Sequence, residues 1–160
     1  MAAAVALAEC GIPVTVFESA KQLGGRARGE AHQDTQLDNG HVLLFDNGAH
    51  RRGASYSRVI EVDPTTGQIA WEYRAEPRIS FYSYNISSAE RLPNGNTLIC
   101  EGAAGRLLEV TTKQEIVWEY INPFFLQAGG TLGYTNGMFR AHRYGPDHPA
   151  LGGKDLDPTR

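Results

Sequence analysis

The sequence predicts a mainly all-β fold: a partial β-propeller of about two to three four-stranded blades, preceded by a short helix-strand fragment of a dinucleotide-binding unit. Three observations carry that prediction. The first forty residues read helix, glycine, strand, acid. Beyond them the pattern changes to period-2 strands punctuated by Asn-Gly and Gly turns. Finally, two long stretches of that later part align with each other, tryptophan for tryptophan.

The opening MAAAVALAEC is dense in alanine, the strongest helix former. Gly11 stands at a natural helix end and Pro13 prevents continuation. Pro13-Val-Thr-Val-Phe-Glu18 then gives a short β-branched strand closing on an acid. In a dinucleotide-binding βαβ unit the acid at that position accepts hydrogen bonds from ribose hydroxyls. The pyrophosphate loop G-x-G-x-x-G and its strand belong ahead of Ala2, where Met1 stands, so this piece is expected to be truncated.

The repeat begins at Asp38. Its first copy runs Asp38-Asn-Gly-His-Val-Leu-Leu-Phe-Asp, Ser57-Arg-Val-Ile-Glu-Val-Asp and Gly67-Gln-Ile-Ala-Trp-Glu-Tyr73. Its second runs Pro93-Asn-Gly-Asn-Thr-Leu-Ile-Cys-Glu, Gly105-Arg-Leu-Leu-Glu-Val-Thr and Glu115-Ile-Val-Trp-Glu-Tyr120. A longer loop at 50–56 accounts for the unequal spacing of the two copies. Three strands per copy, with a preceding one such as 84–92, make a four-stranded blade. A single blade cannot bury both faces, so Trp71 and Trp118 are expected in the core between stacked blades. The domain reading is therefore 1–37 for the truncated dinucleotide-binding fragment, 38–145 for the blades and 146–160 for a C-terminal tail.

Composition narrows the function classes. A net charge of -3 gives no basic excess, which argues against a nucleic-acid partner. No apolar run approaches a membrane span, and the opening lacks a positive n-region and a long apolar core, so the chain as written is expected in the cytoplasm and off the membrane. Cys10 and Cys100 are too far apart in sequence to suggest a metal site or a disulfide framework and are expected to be buried and inert. No tetrahedral ligand spacing suggests a metal.

Two resemblances add to this reading. AAAVALAECGIPVTVFESAKQLGGRAR resembles the FAD-binding start of the amine oxidase and phytoene or squalene desaturase flavoproteins. The resemblance makes the fragment FAD-type Rossmann and implies that Glu18 holds the adenosine ribose and that Gly24, Gly25 and Arg26 run close to the cofactor. With the phosphate loop missing, no cofactor is expected, and FAD enters only under this alternative reading. LLFDNGAHR, YSRVIEVDPTTGQIAWEYR, RLPNGNTLICEGAAGRLLEVT and EIVWEYINP, with FRAHRY and KDLDP in the tail, resemble the arylsulfotransferase family over about residues 38–160. The segment LDNGHVLLFDNGAH fits both families at once, which places the junction of an apparent chimera within 38–44.

The arylsulfotransferase resemblance implies sulfuryl transfer from phenolic sulfate esters to phenols through a histidine at the propeller axis, in a family that is usually exported. Imidazole is nucleophilic near neutral pH, and a guanidinium can hold sulfate oxygens in pairs. His50 and Arg58 match that pattern best, with His142 of FRAHRY as the additional histidine on the inner strand of a further blade. Ser87 and Ser88 stand where an axial histidine would otherwise be expected. Bland alternatives stay open: solvent exposure for His50, an ordinary polar contact for His142, and an ion pair with Glu61 or Glu109 for Arg58. Too few blades are present to complete a ring, so the chain is expected to be inactive alone and prone to self-association through exposed blade faces. A non-catalytic binding module is the third reading.

Overall fold

The computed structural model describes residues 37–127, 133–145, 147–155 and 157. The chain divides into two units, Met1–Gln33 and Asp34–Arg160. The helix-strand fragment, with Glu18, Gly24, Gly25 and Arg26, lies outside the described residues.

Within the second unit the chain is mainly antiparallel sheet, in agreement with a partial propeller. Sheet one has the order β1 (Val42–Asp46), β2 (Arg58–Val62), β3 (Ile69–Tyr73). Sheet two has the order β4 (Ser88–Arg91), β5 (Thr97–Glu101), β6 (Arg106–Val110), β7 (Ile116–Ile121). A short pair, β8 (Leu126–Gln127) and β9 (Tyr134–Thr135), follows. The Asn-Gly turns precede β1 and β5, with Gly40 at φ 84° and Gly95 at φ 84°, a conformation that glycine adopts without strain. Both aligned copies become three strands in the same order and with matching register, including an irregularity at Glu61/Val62 and again at Glu109/Val110.

Pleat and register decide which side chains meet. On sheet one, Leu43 opposes Glu61, Phe45 opposes Val59, and those two β2 residues oppose Trp71 and Tyr73. All six therefore share one face. Sheet two turns Ala89, Arg91, Ile99, Leu108 and Val110 toward it. Leu43, Val59, Tyr73, Ile99, Leu108 and Val110 form one buried core with Phe81 of the connector. Phe81 packs against Phe45 and Tyr73 with ring centroids 5.5 and 5.3 Å apart.

A charged clasp sits in this apolar contact. The Glu61 carboxylate accepts from Arg91 Nη2 at 2.7 Å and from Asn39 Nδ2 at 3.2 Å, and lies 2.8 Å from His41 Nδ1. The Arg91 guanidinium lies 4.8 Å from the centroid of the Trp71 ring, whose Nε1 donates to the Thr112 carbonyl at 2.9 Å. Trp71 thus lies between the two sheets, as stacked blades require. Trp118, its repeat partner, departs from the expected burial and is 39% exposed. Its face carries no further described sheet.

The expected inner strand around His142 is also absent as regular structure: residues 138–145 run without ladder pairing among the described residues. No helix among the described residues is long and apolar enough to cross a membrane.

Burial works against ionisation of Glu61, but His41, Asn39 and Arg91 outweigh it and hold the carboxyl below its ordinary value of 4.5. A carboxyl depressed in the native state stabilises the fold above its ordinary value and loses that contribution as pH falls through the lower native one. Glu61→Ala, which strands Arg91 between the sheets, is expected to cost about 2 kcal/mol in urea unfolding, a figure reduced for partial exposure. The urea midpoint of Glu61→Gln should fall less than that of the parent chain between about pH 6 and about pH 3.

Candidate functional site

The end of sheet one where β1 leaves and β2 enters gathers most of the chemistry named from the sequence. Asp46 anchors it by accepting from the Gly48 amide at 3.0 Å, from Arg51 and from Arg58 Nε at 2.8 Å. Gly48 is required here. It has φ 70°, and a Cβ would stand 2.2 Å from the Tyr56 carbonyl oxygen. Arg51 lies 4.0 Å from the centroid of the Tyr56 ring and donates to the Tyr56 carbonyl at 3.1 Å. His50 stands exposed in the turn between them.

Arg58 pairs with neither Glu61 nor Glu109. It bonds Asp46 and, through Nη1 at 3.1 Å, Glu72. The reason is the pleat: Arg58 points to the face opposite Glu61's neighbour Val59, and across the strands it meets Asp46 and Glu72. Its pKa is raised chiefly by the Asp46 hydrogen bond, with burial opposing. The same arrangement recurs in the second copy, where Arg106 bonds Glu119 at 2.6 Å and Glu101 at 3.3 Å. A contact present in both copies is part of how each sheet is braced.

His142 lies elsewhere. Its Nδ1 is 3.1 Å from Glu90 Oε2, and Glu90 opposes Leu98 near the Asn-Gly end of sheet two. Asp46 and Arg58 correspond in the repeat to Glu101 and Arg106, at the other end of that sheet. His50 and Arg58 therefore share one end, and His142 is not brought to them.

Sequence reasoning missed a buried polar hub beside His50. Asn47 Nδ2 donates to the Ser83 and Ile86 carbonyls at 2.7 and 3.0 Å. Ser57 Oγ donates to the Asn47 carbonyl at 2.9 Å and accepts from the Ser83 amide at 2.9 Å. Ser83 Oγ donates to the Asn85 carbonyl at 2.7 Å and accepts from the Ala103 amide at 2.9 Å. The hub holds two successive non-glycine residues at positive φ, Ile86 at 44° and Ser87 at 140°. For β-branched Ile86 this is a strained conformation, of a kind that persists only where surroundings enforce it. Gly102 closes over the strained pair and donates its amide to Ser87 Oγ at 3.1 Å. A usable signal was present: Ser57 replaces the Gly105 of the second copy, and Asn47 replaces Gly102.

Cys100 is buried as expected. Burial pushes its thiol up to about 11, and Sγ lies 3.6 Å from the Met138 carbonyl. Among the described residues no three His, Cys, Asp or Glu side chains are grouped to hold a metal ion. An open cleft of about 450 Å³ lined by Tyr73, Arg74, Glu76 and Arg106 contains none of His50, Arg58 and His142.

Two family models match the chain. Arylsulfotransferase (ASST) matches residues 29–123, more than half of the chain and both tryptophan-bearing sheets. NAD(P)-binding Rossmann-like domain matches residues 1–52. The two matches overlap across 29–52, which contains the junction read at 38–44. No curated protein and no solved structure matched.

Gly102→Ala is expected to destabilise by about 2–3 kcal/mol in urea unfolding, because the added methyl overpacks a closed site. Its Cβ would meet the Met138 carbonyl at 2.4 Å and Ile86 Cγ1 at 2.8 Å. Arg58→Met and Arg106→Met should each cost about 1 kcal/mol and by similar amounts if bracing is the shared role.

Proposed function

The chain belongs to the arylsulfotransferase (ASST) family, and from that premise we propose that it supplies two blades of a propeller for sulfuryl transfer between phenolic esters and phenols. The observation that carries this reading is the family match across both repeat copies, 29–123. In the proposed reaction an imidazole nitrogen attacks the ester sulfur, the sulfur–oxygen bond to the phenol breaks, and the phenolate leaves. An acceptor phenol then attacks the same sulfur, loses its proton and releases the imidazole.

His50 is the residue we assign to the acceptor side of this chemistry. It is exposed, it stands at the loop end of sheet one, and the exposed Arg52 near it supplies positive charge for sulfate oxygens, while Arg51 is engaged by Asp46 and Tyr56. Arg58, already engaged by Asp46 and Glu72, acts as a positioning residue for the strand pair that carries the His50 loop. His142, held by Glu90 toward the opposite end, is a structural contact in this reading. An axial site draws groups from blades all around a ring, and two sheets supply only an arc of it. A single copy is therefore expected to be inactive.

A second reading rests on the match over residues 1–52. In it the amino-terminal unit binds a dinucleotide, FAD by the resemblance of its sequence, with Glu18 on the ribose and Gly24, Gly25 and Arg26 along the cofactor.

Monomeric chain given 4-nitrophenyl sulfate and a phenol acceptor should release no nitrophenol above the buffer rate. Sustained turnover abolished by His50→Ala would show that the site is complete within one copy and overturn the proposed division of labour. Turnover lost on His142→Ala alone would move the nucleophile to the tail. For the second reading, a titration with FAD followed by flavin fluorescence decides: saturable binding weakened by Glu18→Ala supports it, and a flat titration removes it.

A further inference from the structure

Strand β3 ends on a tyrosine whose two ends meet different surroundings. The Tyr73 ring belongs to the core and packs edge to face on Phe81, leaving the residue 3% exposed. Its hydroxyl has no hydrogen-bond partner among the described residues, yet no fully enclosed side-chain polar atom among them lacks one. The accessible remainder of Tyr73 is therefore its hydroxyl, and it opens on the cleft of about 450 Å³ that the residue lines. Burial holds this phenol above its ordinary value, with Arg106 opposing and Glu101 and Glu119 adding. It stays protonated at neutral pH and is a donor without a protein acceptor.

The charges lining the same cleft divide into committed and uncommitted ones. Arg106, at the start of β6, is committed: Nε donates to Glu119 at 2.6 Å, and Nη1 donates to Glu101 at 3.3 Å and to the Ser80 carbonyl at 3.4 Å. Two carboxylates on one guanidinium leave no spare positive charge at that wall. Arg74 and Glu76, just beyond β3, are exposed, and neither side chain has an ion pair or hydrogen bond among the described residues. The second copy reads Tyr120-Ile-Asn-Pro123 where the first reads Tyr73-Arg-Ala-Glu76. This cation and anion are thus particular to the cleft and no part of how a blade is built.

Their chemistry narrows the ligand. A dianion such as phosphate would meet Glu76, Glu101 and Glu119 along with Arg74, and a simple amine would meet Arg74 along with Glu76. A ligand bearing both charges satisfies both groups. Ala75 and the half-exposed Ile116 of β7 add apolar surface to the same cleft. Its volume falls within the roughly 300–1,000 Å³ usual for small-molecule sites.

We propose that this cleft binds a small zwitterion of the free amino-acid class, its carboxylate on Arg74 and the Tyr73 hydroxyl, its ammonium on Glu76 and its apolar side chain along Ile116. None of His50, Arg58 and His142 lines the cleft, so the site stands apart from the sulfuryl-transfer reading and is read out by binding rather than turnover.

An NMR titration of the full chain with L-leucine as the probe tests it. Saturable binding is expected, weakened roughly tenfold by Arg74→Met and by Glu76→Gln, as for a lost charge-assisted hydrogen bond. Leucinamide, which lacks the carboxylate, and isocaproate, which lacks the amine, should each bind more weakly than leucine. Tyr73→Phe separates a ligand contact from a structural one. Its urea midpoint should not fall, because the hydroxyl holds nothing in the fold, while leucine affinity drops roughly fivefold. A titration without saturation, an affinity unchanged in all three variants, or inorganic sulfate displacing leucine from the cleft overturns the proposal.

Discussion

A carboxylate held between two β-sheets has to be answered by hydrogen-bond donors, and at Glu61 the answer is drawn from both sheets. Its own sheet supplies the Asn-Gly turn, through Asn39 and His41. The neighbouring sheet supplies Arg91, which in turn lies over Trp71. Neither sheet satisfies the charge alone, so docking and ionisation are coupled. The apolar core of Leu43, Val59, Ile99 and Leu108 provides the bulk of the burial, and the clasp fixes how the faces register.

Internal repetition separates what the scaffold needs from what is particular to one site. Arg58 has the residue type a sulfate ester would want, but its partners are reproduced at Arg106, Glu101 and Glu119. The features that sheet one does not share with sheet two are the longer loop bearing His50 and Arg51, and the hub of Asn47, Ser57 and Ser83 beneath it. Strain at Ile86 and Ser87 is concentrated beside that same loop. Specific chemistry is to be sought where the repeat is broken.

The blades were legible because period-2 alternation and Asn-Gly turns act locally, so each copy declared its three strands. The tryptophan at the sheet contact was legible too, since a blade face must be covered. Partner choice was less so. Arg58 was weighed against Glu61 and Glu109, yet the pleat turned it to Asp46 and Glu72, a choice that depends on strand register rather than proximity in sequence. The Ser83 hub escaped notice because small hydroxyls carry no periodic signature, and its members come from the two ends of the β1–β2 loop and from the connector between the sheets. His142 was read onto a regular inner strand, and a strand is regular only where a neighbour pairs with it.

The correspondence of the Trp71 and Trp118 faces, in which Leu, Glu, Trp and Tyr recur while Phe45 and Val59 are answered by Cys100 and Leu107, has an evolutionary reading. When every blade presents the same donor surface on one side and the same acceptor surface on the other, duplicating a blade inserts a unit whose two sides already fit. Deleting one leaves the flanking units equally compatible. Such a lineage can change its blade number by recombination between repeats, without redesigning any junction, and a segment cut at a repeat boundary carries its adhesive chemistry wherever it is transplanted.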